Sequence, residues 1–236
     1  MWLKAFRINN TLGLQLFQLG RFAALFTSSV FIARIIDDKE VIGIYETLLL
    51  IGSSTTFFWV SGIINPFIPY DKNQPEEKKK QTTAQAFYLL SCISFLVTII
   101  SLLVVFFIQP ASTELYYIFL IGNFFGAISF INEYILLLHD RTKSLVLYGI
   151  LTFLIQTISV SVPLLTDSSM WSSVLALSAF QLVRFIYTLM LLKTYSEFRI
   201  SNSEFRFLFM KCLPYIGSLL VGGSMAFTDS YFIKLF

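Results

Sequence analysis

Seven apolar runs, each longer than 20 residues, partition this chain, and they leave it one class of fold. They fall at roughly 12–36, 41–69, 84–108, 116–138, 144–166, 170–192 and 212–236. A helix that crosses a bilayer needs roughly 20 apolar residues. The runs show no strict polar–apolar alternation, so they specify helices and not barrel strands. Composition agrees. The chain is 56% hydrophobic and 13% charged, with 26 Phe in 236 residues, whereas soluble domains carry nearer a quarter charged residues. A soluble fold of this size leaves too much surface wet to hide so much apolar area. The expected fold class is an all-α integral membrane protein of about seven transmembrane helices.

The breaks between runs are short and polar. Asp37 to Glu40 forms a charged turn, and Tyr70 to Gln81 carries Pro75 and a lysine run. Gln109 to Glu114 holds the helix-stopping Pro110, and His139 to Lys143 and Thr166 to Ser169 complete the set. The longest connector, Lys193 to Lys211, interleaves Phe198, Phe205, Leu208 and Phe209 with Arg199, Glu204 and Arg206, the pattern of an amphipathic surface helix. The first run contains Gln15, Gln18 and Arg21 and lacks a small-residue cleavage site, so it reads as a retained helix and not a signal peptide.

The basic residues orient the chain. Lys4, Arg7, Lys72, Lys78, Lys79, Lys80, Arg141, Lys143, Lys193, Arg199, Arg206 and Lys211 fall on one side, against Arg34, Lys39 and Lys234 on the other. The positive-inside rule then places the N-terminus and the even-numbered connectors in the cytoplasm. These residues sit in connectors, so the lipid bilayer is the expected partner and nucleic acid is not. The Lys78–Lys80 run reads as a positive-inside anchor.

Charges inside spans carry the functional information, because each costs about 2.5–3.5 kcal/mol at a helix centre on insertion scales. Arg21 lies roughly 13 Å into span one at 1.5 Å per residue. Gln15, Gln18, Arg21 and Ser28 occupy an arc of about 140° at 100° per residue. One reading is a cavity-lining face whose guanidinium accepts an anion, phosphate most naturally, since its planar fork matches phosphate oxygens. The other is an ion pair with an acid on a neighbouring helix. Gln181 and Arg184 repeat the pattern at i, i+3 in span six, where Arg184 either lines the cavity, pairs, or snorkels to the cytoplasmic surface. Asp229, Glu133 and Glu46 are the coupling or pairing acids. Asp229 lies in span seven, and Glu133 follows Asn132 near enough the cytoplasmic end to meet headgroup water. Glu46 lies near the outer interface.

Other residues have structural readings. Gly122, Gly126, Gly217, Gly222 and Gly223 allow close helix contact. Pro163 and Pro214 mark a local bend or a helix start. Cys92 and Cys212 are reduced packing residues, and His139 is an exposed loop residue. There is no nucleophile elbow, no H-E-x-x-H and no glycine-rich phosphate loop. The expectation is therefore no catalytic set, no metal and no cofactor.

Phe26 to Ile32 and Phe227 to Ile233 match at five of seven positions. As a true repeat this is a parallel one, with span seven opening a second half. Residues 1–211 then form a six-helix N-terminal lobe with its cytoplasmic connector. Residues 212–236 form the first helix of an incomplete second lobe, and the chain reads as a fragment of a longer protein.

A family resemblance rests on particular stretches. Arg21 to Phe26 and Ile32 to Ile36, then Ile42-Gly43-Ile44-Tyr45-Glu46, then Trp59 to Ile63, resemble the start of polysaccharide exporters of the Wzx O-antigen flippase type. Leu213-Pro214-Tyr215 through Thr228-Asp229 resembles that family's seventh helix. The resemblance implies a multidrug/oligosaccharidyl-lipid/polysaccharide exporter fold, with two six-helix lobes around a central cavity. It implies alternating access for a lipid-diphosphate-linked oligosaccharide in the cytoplasmic membrane, serving lipopolysaccharide or other polysaccharide biosynthesis beside its assembly proteins. Arg21 and Arg184 would then receive the diphosphate-sugar headgroup while the lipid tail stays in the bilayer. Two alternatives stand beside this. One is a cation-coupled multidrug efflux transporter of the same fold, in which Asp229 and Glu133 matter more. The other is a membrane-embedded glycan-modifying enzyme, disfavoured because no connector exceeds about 19 residues and enzymes of that kind need a positioned acid or base.

Overall fold

A computed structural model describes residues 10–36, 39–108, 110, 112–167, 170–197 and 201–235. Side chains are described throughout these except at 10, 11, 40, 76, 167 and 225–235. The described residues form eight helices and no strand: α1 (Asn10–Ile35), α2 (Lys39–Lys72), α3 (Glu76–Ile108), α4 (Thr113–Ile128), α5 (Ile131–Leu138), α6 (Thr142–Asp167), α7 (Met170–Tyr195) and α8 (Asn202–Leu235). Seven spans within them are long and apolar enough to cross a membrane, α4 and α5 together making one. The protein is an all-α, multi-pass integral membrane protein.

The helices follow the apolar runs but extend beyond them where the chain is polar. The Tyr70–Gln81 connector is mostly helical, because α2 reaches Lys72 and α3 begins at Glu76. Pro75 stands just before α3 and accepts from Lys78 N at 2.8 Å, a position where its missing N–H costs nothing. The amphipathic stretch after Lys193 is not a separate surface helix. From Asn202 it is the first part of α8, which runs unbroken through Pro214. Burial of Leu208 and Cys212, with Ile216 against Gly62 of α2, holds both sides of that proline in one helix. The boundary expected at 211/212 thus falls inside α8.

The lysine-rich helix ends meet at one end of the bundle. Lys78 Nζ lies 3.4 Å from Glu204, Glu197 N donates to Lys80 O at 3.3 Å, and Tyr70 packs on Phe207. His139, expected as an exposed loop residue, instead stacks on Tyr195 at 4.3 Å between ring centroids.

Packing runs α1–α6–α7–α4–α3–α2–α8, an open ring with α1 at one end and α8 at the other. The short α5 reaches into its middle and touches α1, α2, α6 and α7. Small residues set the closest approach. A Cβ on Gly122 would meet Ser178 Cα at 2.8 Å, and one on Gly126 would meet Gln181 Cδ at 2.9 Å, so α4 and α7 touch almost backbone to backbone. Gly223 lies against Phe57, whereas Gly217 and Gly222 face open space and make no such contact. Cys92 and Cys212 are free thiols, Cys212 buried and Cys92 exposed.

Candidate functional site

The site is built around an interruption in the fourth span. At Ser129–Phe130 the helix gives way to a turn. Phe130 N donates to Ala127 O at 3.4 Å and Asn132 N to Ser129 O at 3.2 Å, so the backbone groups freed from the helical ladder find partners. Ser129 Oγ adds a bond to Phe125 O at 2.7 Å. Ser129 and Phe130 keep right-handed helical dihedrals, so the interruption is a local tightening to i→i−3 bonds, and Ser129 is buried. The turn delivers α5 into the ring, and with it Asn132 and Glu133.

Glu133 is buried within the protein. It is 2% exposed, and its Oε1 lies 3.6 Å from Nη1 of Arg21, whose side chain is 38% exposed. That separation is an ion pair but exceeds good hydrogen-bond length. Among the described residues, Glu133 Oε2 has no hydrogen-bond partner. The Arg21 guanidinium stands 5.1 Å above the Phe130 ring. Together they edge a chamber of about 220 Å³ between α1, α2 and α5, whose wall includes Thr56, Ser61, Tyr134 and apolar residues of α2. Such a volume admits several waters. Arg21 is thus both paired with an acid and part of the chamber lining.

Arg184 behaves differently. It is 7% exposed and does not snorkel. Nε donates to the Tyr148 hydroxyl at 3.1 Å and Nη1 to Gln181 Oε1 at 2.8 Å. Tyr148 also accepts from Asn132 Nδ2 at 3.2 Å, and its ring is stacked by Phe17 and Tyr187. The Arg184 guanidinium lies 5.7 Å from the Phe130 ring and 5.9 Å from Phe180. Phe130 is thus the common neighbour of both arginines, one beside the chamber and one enclosed.

The remaining sequence candidates are distributed unevenly. Gln181 joins Arg184, not the chamber wall. Gln15 and Gln18 are exposed and lie outside the chamber lining. Residues Phe17, Ala24, Ser28 and Ile32 face the protein, so the packed side of α1 is rotated away from those two amides. Glu46 is exposed and also stands apart from the chamber. The Asp229 side chain lies outside the described residues, as does the second copy of the proposed repeat. Among the described residues, no group of three His, Cys, Asp or Glu is placed to hold a metal. Tyr148, Phe130, Thr56 and Ser61 complete the site without having been singled out in the sequence. As uncharged residues in an apolar, hydroxyl-bearing chain they carry no periodic signal of their own.

No family model, curated protein or solved structure matches this chain. The class of protein is therefore set by its own helices: a multi-pass membrane protein with an arginine–glutamate pair at the edge of an intramembrane chamber.

Proposed function

We propose that this protein moves a lipid-diphosphate-linked oligosaccharide across the cytoplasmic membrane by alternating access. The observation that carries the reading is Arg21, whose guanidinium is exposed to a chamber of about 220 Å³ at membrane depth. Its ion pair is loose, so donors remain for an entering anion. A phosphate diester is the natural guest, because a guanidinium binds its oxygens in a fork. Thr56 and Ser61 on the facing wall offer hydroxyls to the neutral sugar portion. The resemblance of the first two spans to Wzx-type flippases supports the same cargo. The basic helix ends support a cytoplasmic N-terminus.

Reconstitution in vesicles with a fluorescent diphosphate-linked saccharide tests it. Arg21→Ala should reduce headgroup translocation at least tenfold, and Arg21→Lys should restore only part of it. Undiminished translocation in Arg21→Ala would reject the reading. A second reading, cation-coupled drug efflux, draws on Glu133, a buried carboxylate with one unpartnered oxygen. It predicts raised drug resistance on expression, lost in Glu133→Gln, where a flippase gives no resistance phenotype.

A further inference from the structure

A second, smaller cavity lies across Thr56 from the chamber, where α2, α3 and α4 meet. Its volume of about 10 Å³ suits a single water, and its polar wall consists of Thr55, Thr56, Ser94, Thr98, Ser101 and Asn123. Ser94, Thr98 and Ser101 are spaced i, i+4, i+7 and form one stripe along α3. The opposite face of that helix exposes Leu96 and Leu103, as a lipid-facing surface should.

The hydroxyls divide into two kinds. Thr55 donates to Ile51 O at 2.7 Å, Thr56 to Gly52 O at 2.7 Å and Ser94 to Phe124 O at 3.3 Å. Their protons are committed to the backbone, so they offer only lone pairs to the cavity. Among the hydrogen bonds of the described residues, none is made by the side chains of Thr98, Ser101 or Asn123. These three keep both donors and acceptors available. Polar groups without partners at membrane depth are costly, and a wall of free donors and acceptors is what water satisfies. Ser101 lies seven residues before the end of α3 at Ile108, roughly 10 Å along the axis at 1.5 Å per residue. That end is opposite the one carrying Lys78–Lys80.

We propose that this crevice is hydrated and is the outward water route to the chamber of Arg21 and Glu133, with Thr56 as the wall common to both. The inference rests on the reading of the chamber as a cargo site served from two sides. It makes α3 a helix with a wet stripe and a greasy face, and it assigns Thr56 control of what passes between the two spaces.

Cysteine accessibility in intact membranes tests it, using the full chain with Cys92 and Cys212 replaced by serine. A charged, membrane-impermeant methanethiosulfonate is added to the side away from Lys78–Lys80. Thr98→Cys and Ser101→Cys should react at least tenfold faster than Leu96→Cys and Leu103→Cys. Water reaching the chamber, read as hydroxyl-radical labelling of Tyr134 in its wall, should fall at least tenfold with Thr56→Phe, while the Ser101→Cys rate stays unchanged. Equal rates at Ser101→Cys and Leu103→Cys would show a dry crevice and overturn the proposal. Tyr134 labelling indifferent to Thr56→Phe would overturn the route. Hydroxyl-radical footprinting of the unsubstituted chain gives an independent reading. Trp59, which lines the crevice yet is buried, should be labelled above buried Phe17 and Phe67 after correction for intrinsic reactivity, and absence of that excess would count against hydration. Loss of cargo movement in vesicles with these results intact would reject the proposed function alone.

Discussion

Arg21 and Arg184 are the same residue type, both in contact range of one phenylalanine ring, and their surroundings differ in almost every respect. Arg184 is enclosed, and two of its nitrogens are fixed at 2.8 and 3.1 Å by neutral partners. The helices around it meet at Gly122 and Gly126 with almost no side chain between them. Arg21 is half-exposed, its acid is 3.6 Å away, and the space beside it is large enough for solvent. A buried charge is tolerated when hydrogen bonds satisfy it, and breaking such a network is expensive because the partners are left unpaired. A loosely paired charge at a wet edge holds its neighbours less firmly and keeps capacity for a ligand. The contrast separates a residue that builds the bundle from one that serves its chamber.

Four measurements break or sharpen this contrast. The largest effect belongs to Arg184→Ala, which takes the guanidinium donors away from the Tyr148 hydroxyl and Gln181 Oε1. It should destabilise the protein by about 3 kcal/mol, seen as early unfolding of the purified protein in a thermal or denaturant series, and a loss near zero would erase the distinction. Next is Gly126→Leu, which drives a side chain into Gln181 and separates α4 from α7. Overpacking of this kind costs about 1–3 kcal/mol, and cross-linking between cysteines placed on the two helices should fall with it. Glu133→Gln keeps the shape of its side chain and removes the charge. Stability should change by about 1 kcal/mol or less in the same unfolding series, while a sugar–diphosphate diester should bind more tightly by isothermal titration, because Arg21 no longer has an internal anion to share. Weaker binding would mean that Glu133 helps to hold the cargo. The smallest effect is Gln18→Ala, which should leave unfolding within about 0.5 kcal/mol and translocation unchanged. A large translocation defect there would extend the site onto the exposed face of α1.

Much of this architecture was legible in the sequence, because a bilayer imposes length and polarity on every spanning segment. The seven apolar runs and the lysine-rich ends emerge where those rules place them, and Arg21 and Arg184 stood out because charge at depth needs a reason. The failures have physical causes as well. The interruption at Ser129–Phe130 lacks a proline or glycine of its own, and nothing local announced that Glu133 would be buried among the helices. Pro214 looked like a helix start, but tertiary packing on α2 carried the helix through it. Gln15 and Gln18 share an arc with Arg21, yet which part of an arc faces protein is decided by the neighbouring helix, and α6 takes the side of Phe17 and Ala24. The Ser94–Thr98–Ser101 stripe did have a readable spacing. It was masked by the many other hydroxyls in these spans, most of which bond back to their own helix.

The split fourth span has a mechanical consequence. At 1.5 Å per residue, α4 covers about 24 Å and α5 about 12 Å, so neither half crosses a hydrocarbon core of roughly 30 Å unaided. Only a few short-range bonds span the junction between them. Glu133 and Tyr134 ride on the shorter half, so any change at the junction moves both relative to Arg21. The position of the carboxylate and the geometry of that junction are therefore one variable, and a force applied to either is felt by the other.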